Sequence, residues 1–159
     1  FIKQFASTYA KERIALFQDL LKQEYPLRDV CRQIKSNMDH PARLQMIHVL
    51  FGLSQADGHV HPSEVNIIRD ITGYLGISQK DFESIKAMFY KDTQSSYTIL
   101  EIDKSATDIE VKKAFRRMAT KYHPDKVSHL GEEFRSIAAE KFKKVNEAYQ
   151  QVKKEIGIS

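Results

Sequence analysis

The chain has 159 residues, of which 42% are hydrophobic and 29% are charged, and its formal net charge is +4. This composition is typical of a globular protein, and no apolar run reaches the roughly 18 residues that a membrane-spanning helix needs. Cys31 is the only cysteine, which excludes a disulfide within the chain and favours a reducing compartment. The positive excess is too small to indicate a general nucleic-acid binder.

Apolar residues recur with the period of an α-helix along most of the chain. The first stripe lies within residues 13–21. Three further helices are predicted to begin at prolines, which are well tolerated at the first position of a helix. These prolines are Pro26, Pro41 and Pro62. Gly76 is predicted to cap the last of these helices, and Ser78 to Asp81 are predicted to form a capping box that begins another.

The polar stretch at residues 92–96 lacks an apolar stripe and is predicted to be a domain boundary. We therefore divide the chain into residues 1–93 and residues 94–159. Three helices are predicted in the second part, at residues 97–102, 107–122 and about 132–155. No segment of useful length alternates in the manner of a β-strand, so the predicted fold class is all-α, in two parts.

The helix at residues 107–122 has an apolar face and a basic face. Val111, Met118 and Tyr122 fall close together on a helical wheel. The basic residues on the other side, including two that extend toward the following loop, are Lys112, Lys113, Arg116, Arg117, Lys121 and Lys126. The final helix carries a matching apolar stripe that places Phe142 and Tyr149 in the core. The two helices are predicted to form an antiparallel hairpin, covered by the short helix.

Four blocks of this second part resemble a J domain, from about residue 95 to residue 155. The blocks are YTILEI at 97–102, VKKAFRRMA at 111–119, KYHPDK at 121–126 and FKKVNEAY at 142–149. The resemblance implies a co-chaperone that stimulates ATP hydrolysis by a DnaK-type heat-shock chaperone. The stretch from Val127 to Glu140 is longer than in the shortest J domains and leaves the start of the last helix open.

The resemblance also implies a role for each matching residue. His123, Pro124 and Asp125 couple docking to ATP hydrolysis in the partner. The basic residues Lys112, Lys113, Arg116 and Arg117, with Lys121 and Lys126, meet an acidic surface of the partner, and Phe115 contributes to that contact. The chain has no glycine-rich phosphate loop and no nucleophile beside a base, so we expect no catalysis of its own.

A second resemblance covers the first part of the chain. The motifs YPLR at 25–28, QADG at 55–58, HPSE at 61–64 and LGIS at 75–78 are similar to the TerB-like module of membrane-anchored, DnaJ-like co-chaperones of the DjlA type. In that family the J domain follows the module at the C-terminus. Because the chain begins with Phe1, we expect a piece of a longer protein with a possible anchor upstream. The expected location is the cytoplasm, and an upstream anchor would place the protein at the cytoplasmic face of the inner membrane.

The loop at residues 56–64 partly matches the second half of a calcium-binding EF-hand loop. The first two ligand positions would be Leu53 and Gln55, which cannot replace two carboxylates. The resemblance to TerB-like modules implies suspected metal ligands, of which Asp57 and Glu64 match one set. We assign no cofactor, because the other half of such a ligand set is absent and the two side chains are better explained as fastening the loop to the next helix.

Two other functions remain open from the sequence. The helix at residues 112–126 could lie in a nucleic-acid groove, although it lacks the interleaved aromatic residues that stack on bases. A metal-responsive stress module centred on Asp57 and Glu64 is the other alternative. His59 and His61 have no cysteine nearby, which argues against a zinc site.

Overall fold

The computed structural model describes residues 26–55, 60–89 and 93–157. Within these ranges the regular secondary structure is helical and no β-strand is present, which confirms the predicted all-α class. The helices are α1 (Leu27–Asn37), α2 (His40–Ser54), α3 (Pro62–Tyr74), α4 (Gln79–Ala87), α5 (Thr93–Leu100), α6 (Asp108–Lys121), a 3₁₀-helix (Pro124–Leu130) and α7 (Glu132–Ile156). The helix predicted within residues 13–21 lies outside the described residues.

Two helices begin one residue away from the predicted start. α1 begins after Pro26, which is its N-cap rather than its first residue. α2 begins before Pro41 because the Asp39 carboxylate caps the helix, accepting a hydrogen bond from the N–H of Ala42 at 2.8 Å. α3 begins at Pro62 as predicted.

The capping box predicted at Ser78 and Asp81 is only half formed. The Ser78 hydroxyl accepts a hydrogen bond from the N–H of Asp81 at 3.2 Å, as a capping box requires. The Asp81 carboxylate, which is one methylene shorter than that of Glu, bonds the Ser78 hydroxyl at 2.6 Å instead of the backbone. The other Asp81 oxygen meets a partner from the second part of the chain, the ammonium of Lys121.

Helix α2 lies at the centre of the first part of the chain. Leu44, Ile47 and Phe51 are buried, and the helix packs against α3, α4 and α7. The Phe51 ring lies 5.7 Å from the ring of Phe82 and 5.5 Å from that of Phe89. A helix with neighbours on several sides buries more than one of its faces, which explains why its apolar residues are not confined to one stripe.

The predicted hairpin is formed by α6 and α7, and α5 packs against both helices. Val111, Met118 and Tyr122 are buried, as predicted. Phe142 and Tyr149 are half-buried, so the prediction placed them too deep. The buried positions of α7 are Ala138, Lys141, Val145, Ala148 and Val152. Their alternating spacing of three and four residues forms the seam of the helix, and the two aromatic residues lie one position to its side.

The two parts of the chain share one hydrophobic core. α4 packs against α5, and α2 packs against α7 and the 3₁₀-helix. The Ser84 hydroxyl of α4 donates a hydrogen bond to the carbonyl of Ile99 in α5 at 2.9 Å. The predicted boundary between residues 93 and 94 falls in the first turn of α5, where Ser95 and Ser96 are buried. A division into domains at this point therefore stays a prediction.

Gly76 ends α3 in the left-handed conformation, with φ +67°, where the N–H of Ile77 bonds the carbonyl of Thr72 at 3.1 Å. Gly76→Ala is expected to lower the free energy of unfolding by about 1–2 kcal/mol, because a Cβ is strained in this conformation. It would also lie 2.8 Å from the Nζ atom of Lys35.

Gly73→Ala is the matched control for this prediction. Gly73 lies within α3, and a Cβ built on it has no neighbour within 4 Å. This variant is expected to raise the free energy of unfolding by about 0.5–1 kcal/mol through helix propensity. Urea unfolding of both variants measures the difference, and equal shifts would show that the left-handed conformation is not the cause.

Candidate functional site

His123, Pro124 and Asp125 lie at the turn between α6 and α7. The N–H of Asp125 donates a hydrogen bond to Nδ1 of His123 at 3.3 Å. The His123 ring meets the ring of Phe142 edge-on, with centroids 5.7 Å apart. The side chains of His123 and Asp125 are 48% and 77% exposed. Proline fixes the backbone between them, so the loop holds two polar side chains toward solvent in a restricted geometry.

The 3₁₀-helix begins within this loop, and its later residues hold the loop against the other helices. Its Val127 side chain is buried, and the helix packs against α7 and α2. The Ser128 hydroxyl donates a hydrogen bond to the carbonyl of Asp125 at 2.9 Å. Nε2 of His129 lies 3.4 Å from the carboxylate of Asp39, the residue that caps α2. The long stretch after Val127 is thus helical up to Leu130, and α7 begins right after Gly131.

Three of the predicted basic residues point away from the other helices. Lys113, Arg116 and Lys126, which we call the outward cations, are exposed, and none of them forms an ion pair with a described residue. Lys112 pairs with Asp108 one turn earlier in the helix, at 3.0 Å. The outward cations therefore keep charge that no neighbouring carboxylate in the described parts of the chain neutralises.

Arg117 and Lys121 instead point toward the rest of the chain. Arg117 donates a hydrogen bond to the carbonyl of Leu100 at 3.0 Å, and its guanidinium lies 3.6 Å from the carboxylate of Glu101. The Lys121 ammonium bonds Glu101 at 2.7 Å and also contacts Asp81. Glu101 adopts the left-handed conformation, with φ +58°, which is uncommon for a residue other than glycine. We refer to Arg117 and Lys121 as the inward cations.

Phe115 contacts Tyr149 across the hairpin. The two rings are stacked, with centroids 4.2 Å apart and an angle of 17° between their planes. Both side chains are half-buried. The structure therefore places Phe115 in an internal contact whose outer part stays accessible, and a role in partner binding stays a prediction.

Lys141 is a fully buried lysine that the sequence patterns did not indicate. Its side chain is fully buried, and its ammonium donates a hydrogen bond to the carbonyl of Leu44 in α2 at 2.9 Å and lies 5.0 Å from the centre of the Tyr122 ring. Burial lowers its pKa well below the ordinary value for lysine, and the charge of Asp81 opposes this shift only in part. Its place in the apolar seam, three residues after Ala138, was the available signal.

His48 of α2 lies in the same buried region. Its ring is 4.8 Å from the ring of Phe89. Burial, with smaller contributions from Lys141 and Lys144, lowers the pKa of His48 to about 3. His48 is therefore neutral at physiological pH and serves as a packing residue.

Of the two candidate metal ligands, Glu64 lies within the described residues and Asp57 does not. Asp57 lies outside the described residues, as do Gly58 and His59. The Glu64 carboxylate accepts a hydrogen bond from the N–H of His61 at 2.9 Å and caps α3. Among residues 26–55, 60–89 and 93–157, no group of three or more His, Cys, Asp or Glu side chains could hold a metal ion.

No helix in the described part of the chain is both long enough and apolar enough to cross a membrane.

Comparisons with known proteins match both parts of the chain. The DnaJ domain family model matches residues 95–156, and the family model of tellurite resistance protein TerB matches residues 2–87. The chain is also 28% identical over 176 residues to the co-chaperone protein DjlA of Vibrio cholerae, an alignment that covers 89% of this chain and 62% of the relative. This chain belongs to the TerB family and has the architecture of the DjlA type, a TerB module followed by a DnaJ domain. In this chain a TerB match is followed by a DnaJ-domain match, which confirms the predicted resemblance.

Other relatives match either most of this chain or about a third of it. The DjlA protein of Vibrio vulnificus is 28% identical over 179 residues, again with 89% of this chain and 62% of the relative covered. The chaperone protein DnaJ of Fusobacterium nucleatum is 52% identical over 54 residues, which cover 34% of this chain and 14% of that protein. The chain thus spans less than two thirds of the length of these relatives. No solved structure matches it significantly.

Proposed function

We propose that this DjlA-type chain is a co-chaperone that binds a DnaK-type heat-shock chaperone and stimulates its ATP hydrolysis. The observation that carries the proposal is the exposed loop of His123, Pro124 and Asp125, which follows α6 and is flanked in sequence by the outward cations. The chain performs no chemistry itself. It acts by binding the hydrolysis-competent state of the partner more tightly than the other states, and this difference in affinity shifts the partner's equilibrium.

The exposed charges of α6 and of the 3₁₀-helix that follows it support an acidic docking surface on the partner. Lys113, Arg116 and Lys126 are exposed cations without an ion pair among the described residues. Such cations attract and orient an acidic surface over several ångströms, and they contribute more to the association rate and to register than to raw affinity. Lys112 shares its charge with Asp108 and is expected to contribute less.

The contacts that restrain the loop support a role in coupling as well as in binding. His123 is restrained by Phe142, and Asp125 is restrained by the first turn of the 3₁₀-helix. Because the loop and α6, which we call the docking helix, belong to one packed hairpin, binding at α6 places the loop at a defined position on the partner. We propose that this placement transmits the docking event to the partner's ATPase site.

Replacing Lys113 and Arg116 by alanine is expected to weaken binding to a DnaK-type chaperone about fivefold at low salt, since each exposed ion pair contributes up to about 1 kcal/mol. The loss should shrink as salt is added, because salt screens exposed charges. Single-turnover ATP hydrolysis, measured against co-chaperone concentration at several ionic strengths, tests the prediction.

The matched control removes two cations from α1, where Arg28 and Arg32 are exposed. Arg28→Ala with Arg32→Ala changes the net charge equally without altering α6. Equal losses in both double variants would show that net charge, rather than the outward cations, governs binding. Absence of any stimulation by the wild-type chain would overturn the proposed function itself.

A further inference from the structure

Asp81 brings a negative charge from the first part of the chain to the docking helix. It belongs to α4, and its carboxylate contacts the ammonium of Lys121 at the C-terminal end of α6. The side chain of Asp81 is 6% exposed and that of Lys121 is 22% exposed. Glu101 approaches the same ammonium at 2.7 Å, so Lys121 lies between two carboxylates.

Asp81 is ionised in this environment. Burial opposes its ionisation, but hydrogen bonds from Lys121 and Ser78 outweigh burial and hold the pKa of the carboxyl group below its ordinary value. The pair is therefore a true ion pair at neutral pH. Because both groups are mostly shielded from water, salt screens it less than it screens the outward cations.

This arrangement separates two groups of cations on α6 and the 3₁₀-helix that follows it. Lys113, Arg116 and Lys126 are available to a partner, whereas Arg117 and Lys121 are engaged by the chain itself. We propose that Asp81 is a built-in competitor of the partner chaperone: it withholds Lys121 from the partner's acidic surface and thereby limits the affinity of docking. The inference rests on the proposed function and concerns the regulation of the same surface.

The packing of the two parts keeps this competitor in place. The Lys141 ammonium is bonded to the carbonyl of Leu44, and the Ser84 hydroxyl to that of Ile99, so α2 and α4 are fastened to the hairpin. An intramolecular carboxylate acts at a high effective concentration, which a separate partner must overcome. Any event that moves α4 away from α6 releases Lys121 and raises the affinity for the partner chaperone. By reciprocity, binding of the partner favours the same movement by the same free energy. The first part of the chain thus acquires a regulatory role.

A double-mutant cycle between Asp81 and Lys121 tests the inference in the full chain. Asp81→Asn retains an oxygen that can accept the Ser78 hydroxyl but removes the charge. We expect Asp81→Asn to tighten the Kd for the ATP-bound DnaK-type chaperone about threefold at low salt, the effect of one exposed ion pair gained. Lys121→Gln should change the Kd less than about twofold in the wild type but cancel the gain in the Asp81→Asn background. Fluorescence anisotropy of a labelled chain provides the Kd.

Two further variants keep the result interpretable. Asp70→Asn, at an exposed position of α3, changes the net charge equally and is expected to leave the Kd unchanged. Glu101→Gln removes the second carboxylate around Lys121 and is expected to tighten binding in the same direction, should Asp81→Asn fold poorly.

Several outcomes would overturn the competition. One is an equal loss of affinity for Lys121→Gln in both backgrounds, which would place Lys121 on the partner already. Another is a gain in Asp70→Asn as large as that in Asp81→Asn. A third is a coupling free energy between Asp81 and Lys121 in urea unfolding with no change in Kd. In all three outcomes the wild-type chain still stimulates ATP hydrolysis. Absence of that stimulation would instead overturn the proposed function.

Discussion

Replacing His123 by glutamine is expected to abolish the stimulation of ATP hydrolysis in a DnaK-type partner while leaving the fold intact. The His123 ring is about half exposed, and it contacts the N–H and the carboxylate of Asp125 and the ring of Phe142. Glutamine preserves a polar group of similar size but removes the aromatic ring that fixes the side chain. Loss of a central contact of at least about 2 kcal/mol would reduce stimulation by roughly thirtyfold or more.

Unfolding in urea checks that the effect belongs to the site. Because His123 lies at the surface, its replacement is expected to change the free energy of unfolding by no more than about 0.5 kcal/mol. His129→Gln is the matched control, since His129 is exposed on the 3₁₀-helix that His123 caps, and its side chain faces Asp39. A loss of stimulation in His129→Gln as large as that in His123→Gln would attribute the effect to the loop's stability rather than to His123.

Replacing Lys141 by methionine is expected to stabilise the protein at neutral pH by about 1–4 kcal/mol, as observed when well-packed apolar residues replace buried charges. The Lys141 side chain is fully enclosed between α7, α2 and Tyr122, and burial lowers its pKa. Methionine has a similar length and can fill the same space. Loss of the Lys141 hydrogen bond does not leave the carbonyl of Leu44 unpaired, because this carbonyl lies inside α2 and accepts the N–H of the residue four positions later.

The pH dependence of stability provides the second measurement for this variant. Between the lowered pKa of folded Lys141 and the ordinary value of about 10.4, the unfolded chain binds more protons than the folded chain. Stability contributed by this site therefore rises with pH in that window. We expect the advantage of Lys141→Met over the wild type to shrink between about pH 7 and about pH 9.5.

Lys143→Met is the control for Lys141→Met, because Lys143 lies two residues away on α7 with 77% of its side chain exposed. Its free energy of unfolding should stay within about 0.5 kcal/mol of the wild type at both pH values. A strong destabilisation by Lys141→Met, with no change in the pH dependence, would show that the hydrogen bond to Leu44 outweighs the cost of burying the ammonium.

Local sequence patterns predicted most of the helices because their causes are local. The apolar faces of α6 and α7 follow from residues three and four positions apart. Prolines, Gly76 and short capping side chains determine where helices begin and end within a residue or two. The depth of each position was harder to predict. Phe142 and Tyr149 looked like core residues because they are aromatic, yet the seam of α7 runs one position away and contains Lys141.

The sequence by itself determined the all-α class, the order of the two modules, the loop of His123, Pro124 and Asp125, and the helix that carries the cations. Only the tertiary structure decided which cations face outward and which are engaged internally. Asp81 and Lys121 are 40 positions apart and Lys141 and Leu44 are 97 apart, so no helical period relates them. Their contacts exist because α2 and α4 pack against the hairpin, and packing between distant helices leaves no local pattern to read.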